Sequence, residues 1–304
     1  MNWNLRIGLI LCAFFIIIAV FGPLFATHDP KIPLEITYIQ TPEGGKLLAP
    51  PVMPGRDYYF GSDKWGYDVF SMMLYGAKYT IFFSLLVSLF RVIVGSGAGI
   101  LLGFSVQRRI GKLNMSALNA IPGFLIIFFV LFGISINSKL SNMELTVVTG
   151  TILVLLGLPG VIATVQGKTN ELRNKEFILA THALGASKWR LIAKHIFPHL
   201  RESLLIMFVS EVILVLSVIG QLSLFHIFLG GTLFQSDPPS PPIYRSLTYE
   251  WAGMIGQSRM NYLYNQYLLL IPLGFYVLLL ISLFLVSKGL EKRYRQQYSK
   301  PPYL

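Results

Sequence analysis

Six apolar runs, each long enough to cross a lipid bilayer as a helix, constrain this 304-residue chain more than any other feature. They lie at roughly 7–26, 79–106, 117–137, 144–165, 203–229 and 266–287. A hydrocarbon core of ~30 Å takes ~20 helical residues. Lipid offers no partner to a bare peptide group, so such runs must bond their own backbones. An all-α integral membrane protein with six transmembrane helices is therefore expected. Composition agrees: 54% of residues are hydrophobic, only 13% are charged, and mean hydropathy is +0.61. The first run, Ile7 to Ala26, is longer than a secretory signal core and has no small-residue cleavage pattern after it, so it reads as a retained span. Cys12, the one cysteine, excludes an internal disulfide and any cysteine-based zinc site.

Net charge is +11 with a pI near 9.7, and most of the basic residues sit in connections between the apolar runs. That placement is the positive-inside pattern and not a nucleic-acid surface. With the N-terminus in the cytoplasm, inside segments carry 16 Lys and Arg against 8 in the outside segments, so both termini are expected to be cytoplasmic in a multi-pass plasma-membrane protein. Three regions follow: a first span with a Pro- and Gly-rich outer loop over 1–78, a five-helix core over 79–287, and a basic tail over 288–304.

Within the spans, Gly95, Gly99 and Gly103 recur every fourth residue and predict close approach of a second helix. Arg91 and Glu211 are ionisable groups inside apolar runs, which cost a few kcal/mol unless paired or hydrated. An ion pair, a polar translocation path and snorkelling all fit the sequence. Catalytic patterns are thin. No H-E-x-x-H or G-x-S-x-G occurs, and Gly167-Lys168-Thr169 lacks the correctly spaced upstream glycine of a phosphate-binding loop. The chain is thus expected to hold no cofactor or metal and to catalyse nothing itself. His182, His195 and His199 read as solvated or docking-surface residues.

The connection 166–202 is too polar to insert, yet it is patterned. Leu172, Leu179, Ala183 and Ala180, Leu184 fall at helical spacing, Gly185 supplies a stop, Ser187 can cap a second short helix through Ile196, and Pro198 follows. Two short helices around a glycine make a compact projection suited to docking on a soluble partner.

Here a resemblance becomes specific. Glu176 through Ser187, followed by His195-Ile196-Phe197-Pro198, resembles the EAA loop of binding-protein-dependent ABC importer permeases, with Gly185 and Pro198 at the family spacing. Leu179 replaces the motif glutamate, Thr181 its second alanine and Phe197 its leucine. Phe60-Gly61-Ser62-Asp63, Gly66-Tyr67-Asp68-Val69-Phe70-Ser71 and Leu74-Tyr75-Gly76-Ala77 are similar to the segment before the second span of C-type permeases in dipeptide, oligopeptide and nickel importers, with Tyr67 for the usual arginine. Pro238-Pro239-Ser240-Pro241 and Trp251-Ala252-Gly253-Met254 resemble a later family element, split here by an insertion.

The resemblance implies a type I ABC importer permease with cytoplasmic coupling helices. Its partners would be a second homologous permease, two ATP-binding subunits that hold ATP and Mg, an extracytoplasmic binding protein and a peptide substrate, all in membrane lipid. ATPase-coupling residues would be Ala180, Ala183, Leu184, Gly185, Ala186, Ser187, His195 and Pro198. A nickel or metal-chelate permease is the near alternative; an ion-coupled secondary transporter and a membrane enzyme are the distant ones.

Overall fold

A computed structural model describes residues 2–41, 44–105, 123–236 and 242–298. The helices are α1 (Trp3–Phe21), α2 (Val69–Ser105), α3 (Gly123–Ser135), α4 (Asn142–Arg173), α5 (Glu176–Ala183), α6 (Lys188–Leu191), α7 (Phe197–Leu224), α8 (Trp251–Ser258) and α9 (Tyr267–Tyr298). Two antiparallel hairpins accompany them: β1 (Thr37–Thr41) with β2 (Gly44–Leu48), and β3 (Thr232–Gln235) with β4 (Ile243–Ser246). Five segments are long and apolar enough to cross a membrane: Trp3–Phe25, Val69–Phe104, Asn142–Arg173, Lys188–Leu224 and Tyr267–Gln296. The sixth, α3, is shorter, and the expected start of its run at 117 falls outside the described residues. The protein is a predominantly helical membrane protein.

Several helices overrun the apolar runs. α2 has 37 residues and α4 has 32, and at 1.5 Å per residue both exceed a ~30 Å hydrocarbon core. The start of α2 at Val69, ahead of the expected 79, has a local cause. Asp68, 1% exposed, accepts from the N–H groups of Phe70 (3.3 Å) and Ser71 (3.2 Å) and from the hydroxyls of Ser71 (2.6 Å) and Thr27 (3.0 Å). It therefore satisfies the orphan donors of the first turn. α4 begins with a capping box in which the Ser141 hydroxyl and the Glu144 carboxylate each bond the other's backbone N–H.

The glycine ladder of α2 meets α4 side by side. A Cβ at Gly95 would lie 2.6 Å from Val161, at Gly99 2.8 Å from Val165, and at Gly103 2.7 Å from Thr169. The steps match residue for residue because α2 and α4 run parallel. Backbone approach at this range supplies the dispersion contact that holds helices together in lipid. Gly97, off this stripe, meets nothing within 4 Å.

The bundle has two unlike ends. At the hairpin end, α1 hands over to α2 and the stretch 50–68 packs down on the helices. Tyr267 at the head of α9 donates to the carbonyls of Val52 (3.1 Å) and Ser62 (2.8 Å). Gly66 (φ +91°) turns the chain where Leu34 lies against it. α8 is sunk among the spans: Trp251 is fully buried, its indole donates to Met73 O (2.9 Å), and its backbone N–H donates to Thr80 (3.0 Å). At the opposite, elbow end, α5 and α6 project from α4 and α7, and Leu5 of α1 lies against Gly289 of α9.

Candidate functional site: an intramembrane ion pair and a projecting elbow

Arg91 sits one step above the glycine ladder. Its guanidinium occupies the space a side chain at Gly157 would fill, so Arg91 and Gly157 form the top rung of the series that continues through Gly95, Gly99 and Gly103. Nε (3.0 Å) and Nη2 (2.6 Å) donate to the Leu153 carbonyl of α4, while Nη1 donates to Glu211 Oε2 of α7 at 2.9 Å. The two side chains are 6% and 12% exposed. Of the sequence alternatives for these residues, the geometry is that of an ion pair, and it ties α2, α4 and α7 at one point. A desolvated charge pair of this kind adds little net stability, but loss of one partner strands the other charge and costs about 3–5 kcal/mol. Nothing in the charge pattern singled out Leu153 or Gly157. The signal was available in the four-residue register that links Arg91 to the glycines.

The elbow is built from backbone capping. α5 ends in a Schellman motif: Gly185 N donates to His182 O (3.0 Å) and Ala186 N to Thr181 O (3.3 Å), with Gly185 at φ +85°. Ser187 then caps α6 by accepting from the Arg190 N–H at 3.4 Å. The second helix does not stop before the membrane, as the sequence suggested. A π-helical turn, Ile192–Ile196, carries it into α7, giving one helical segment from Lys188 to Leu224. Pro198 explains the turn: it lacks an N–H, and its ring would strike the Lys194 carbonyl in a regular helix. The wider turn, closed by Phe197 N to Ile192 O, accommodates it.

An apolar cluster separate from the main core seats the elbow: Ile178, Leu191, Ile196 and Leu200 pack with Ile100 of α2 and Val161 and Val165 of α4. Ile178, and not the helically spaced Leu179 or Leu184, is thus the buried residue of α5. Of the residues expected to couple, Ala180, Ala183, Leu184, Gly185 and Ser187 are exposed, while Ala186, His195 and Pro198 are half-buried. Leu179 (53% exposed), Leu184 (89%) and Trp189 (71%) are large apolar side chains bare on a projection.

Sequence reasoning passed over Glu250, which lies at the N-terminus of α8 at the hairpin end. It is wholly buried; Oε1 accepts from Leu229 N (3.4 Å) and Oε2 has no partner among the described residues. Burial pushes its carboxyl up to about 7, against the pull of the Gly253, Leu229 and Ala252 N–H groups. Asp63 is likewise raised to about 6 by burial, although the N–H groups of Tyr67 and Trp65 bond Oδ1.

Residues 91–296, which begin at the ion-paired arginine and include the whole elbow, match the family described as binding-protein-dependent transport system inner membrane component. The chain belongs to this family. Among curated proteins it is similar to the oligopeptide transport system permease protein OppC of Bacillus subtilis, 25% identical over 291 residues that cover 94% of this chain and 83% of the relative. It is also similar to the dipeptide transport system permease protein DppC of the same organism, 26% identical over 66% of this chain and 57% of that protein. The glutathione transport system permease protein GsiD of Escherichia coli is 27% identical over 78% of this chain and 72% of its own length. As an inner membrane component of a transport system, the chain is a multi-pass membrane permease. The family stretch starts part-way along α2, whereas the similarity to OppC reaches back over α1 and the outer connection as well.

Proposed function

We propose that this chain is one of two permease subunits of an ATP-driven peptide importer, with the elbow end in the cytoplasm and the hairpin end outside. The observation that carries the proposal is the elbow: a capped, rigid projection that exposes Leu179, Leu184 and Trp189 and continues directly into a membrane-crossing helix. Large apolar side chains on a protruding element mark a docking surface. An ATP-binding subunit seated there would push on α7 and α4 together, because the elbow is joined directly to both helices. Positive residues at the elbow end, including Lys188, Arg190, Lys194 and Arg201, fit the cytoplasmic side. ATP and Mg2+ belong to the partner subunits, and solute would arrive from an external binding protein. The peptide class rests on the named relatives, and the resembled segment that runs through the cap of α2 agrees with it.

In this reading ATP-driven closure of the partners tilts α7 and α4 and opens the path outward, and hydrolysis returns it inward. The test is a mild-detergent pull-down of tagged chain with an ATPase assay, for wild type and Gly185→Trp. Gly185 is exposed and a Cβ there meets nothing within 4 Å, so within the chain the substitution costs chiefly a left-handed backbone penalty of about 1–2 kcal/mol. Co-purification of an ATPase and a second permease with wild type, lost in the variant, is expected. A wild-type chain that purifies alone and without ATPase activity overturns the proposal.

A further inference from the structure

At the hairpin end a cavity of about 320 Å³ is lined by Trp65, Tyr67, Leu233, Gln235, Ile243 and Arg245. Arg245 comes from β4, within the insertion that splits the later family element. Its guanidinium stacks over the Tyr67 ring at 3.8 Å and donates one hydrogen bond, to the Tyr249 hydroxyl at 3.3 Å. Among the described residues it has no ion pair, since no carboxylate oxygen lies within 4.0 Å. Asp63, the carboxylate whose field reaches it, spends Oδ1 on the N–H groups of Trp65 and Tyr67. Arg245 is therefore a stacked, half-buried cation whose remaining donors have no partner among the described residues.

We propose that this cavity is a receiving site for the C-terminal carboxylate of a short peptide. Ring stacking holds the guanidinium plane in place before a ligand arrives, and that plane is the shape that pairs two-pronged with a carboxylate. Trp65 and Tyr67 offer apolar ring surface beside it, and the Gln235 amide offers both a donor and an acceptor for a peptide group. The space takes only one or two residues, which suits the end of a chain and not its middle. Position 67 carries tyrosine where the resembled segment has arginine, and the guanidinium stacked on that ring arrives from the insertion. The site thus lies where this chain departs from the resembled segments. This inference deepens the importer proposal and rests on it for the choice of a peptide.

The experiment is saturation-transfer NMR on the full chain in nanodiscs, titrated with dialanine and with dialanine amide. The free acid is expected to bind at least tenfold more tightly than the amide. Arg245→Gln should abolish that preference, and Arg245→Lys, which keeps charge but loses the stacked plane, should retain only part of it. If Arg245→Gln fails to fold, Arg245→Lys carries the comparison. Equal binding of acid and amide, a preference that survives in both variants, or no saturation at millimolar peptide overturns the inference. Any of these leaves the importer proposal standing, because that is decided by the co-purifying ATPase.

Discussion

The two ends of the bundle are held by different forces. At the hairpin end directional bonds dominate: Asp68 accepts four times around the head of α2, Tyr267 bonds two carbonyls of the outer connection, and the Trp251 indole and N–H both find partners. At the elbow end the seat is a small apolar cluster, and the polar contacts are local caps and one donation from Arg173 to the Phe104 carbonyl. Hydrogen bonds fix angles, whereas an apolar contact tolerates sliding. Directional bonds thus pin one end more tightly than the apolar seat pins the other, with Arg91 and Glu211 between them.

The sharpest way to break this contrast is to cut the tie at its middle. Arg91→Ala should strand Glu211 and destabilise the chain by about 3–5 kcal/mol, seen as loss of complex yield and uptake. Replacing both partners, Arg91→Met with Glu211→Leu, should recover much of the yield without the transport, and normal uptake with either variant would refute a positional role for the pair. A pH titration then separates the ends. Glu250 has a folded value near 7 against an ordinary 4.5, so its protonated form is the one the fold favours. The stabilisation is full below about 4.5 and is lost as pH rises through about 7, a span worth about 3 kcal/mol. Thermal melts of wild type should fall between pH 5 and 8, and Glu250→Gln should flatten that fall.

Smaller effects sharpen the same comparison. Asp68→Ala removes the cap of α2 and should cost about 1–2 kcal/mol, with faster amide exchange over 69–74 and none at the elbow. Gly185→Ala should cost about 1–2 kcal/mol at the level of folding, yet lower stimulated ATPase activity in the assembled complex by more than that loss explains. An equal loss of melting temperature and ATPase activity would mean that the elbow is merely structural.

The spans were legible because lipid demands long apolar runs, and the elbow because Gly185, Ser187 and Pro198 each act through the local backbone. What stayed hidden depends on distant partners. α2 begins ten residues early through Asp68, a cap that reads as an ordinary loop acid until Thr27 and Ser71 are seen around it. α8 looks like connection, since eight residues are too few for a span, yet Trp251 at its head is fully buried. Glu250 and Arg245 were overlooked for the same reason. Their significance lies in the pockets around them, formed by segments far away in sequence. Arg91 and Glu211 were visible as charges in apolar runs, but the Leu153 carbonyl that completes their geometry carries no side-chain signature.

Because the helical segment from Lys188 to Leu224 is continuous, any tilt of its elbow end reaches the ion pair as well. Along that rod Glu211 stands 13 residues from Leu224, about 20 Å from the hairpin end at the helical rise, so a tilt of about 9° pivoting there sweeps it by about 3 Å. That sweep equals the 2.9 Å between Glu211 and Arg91. Either α2 travels with the rod, or every such stroke parts the charges and lets water in at the middle of the membrane.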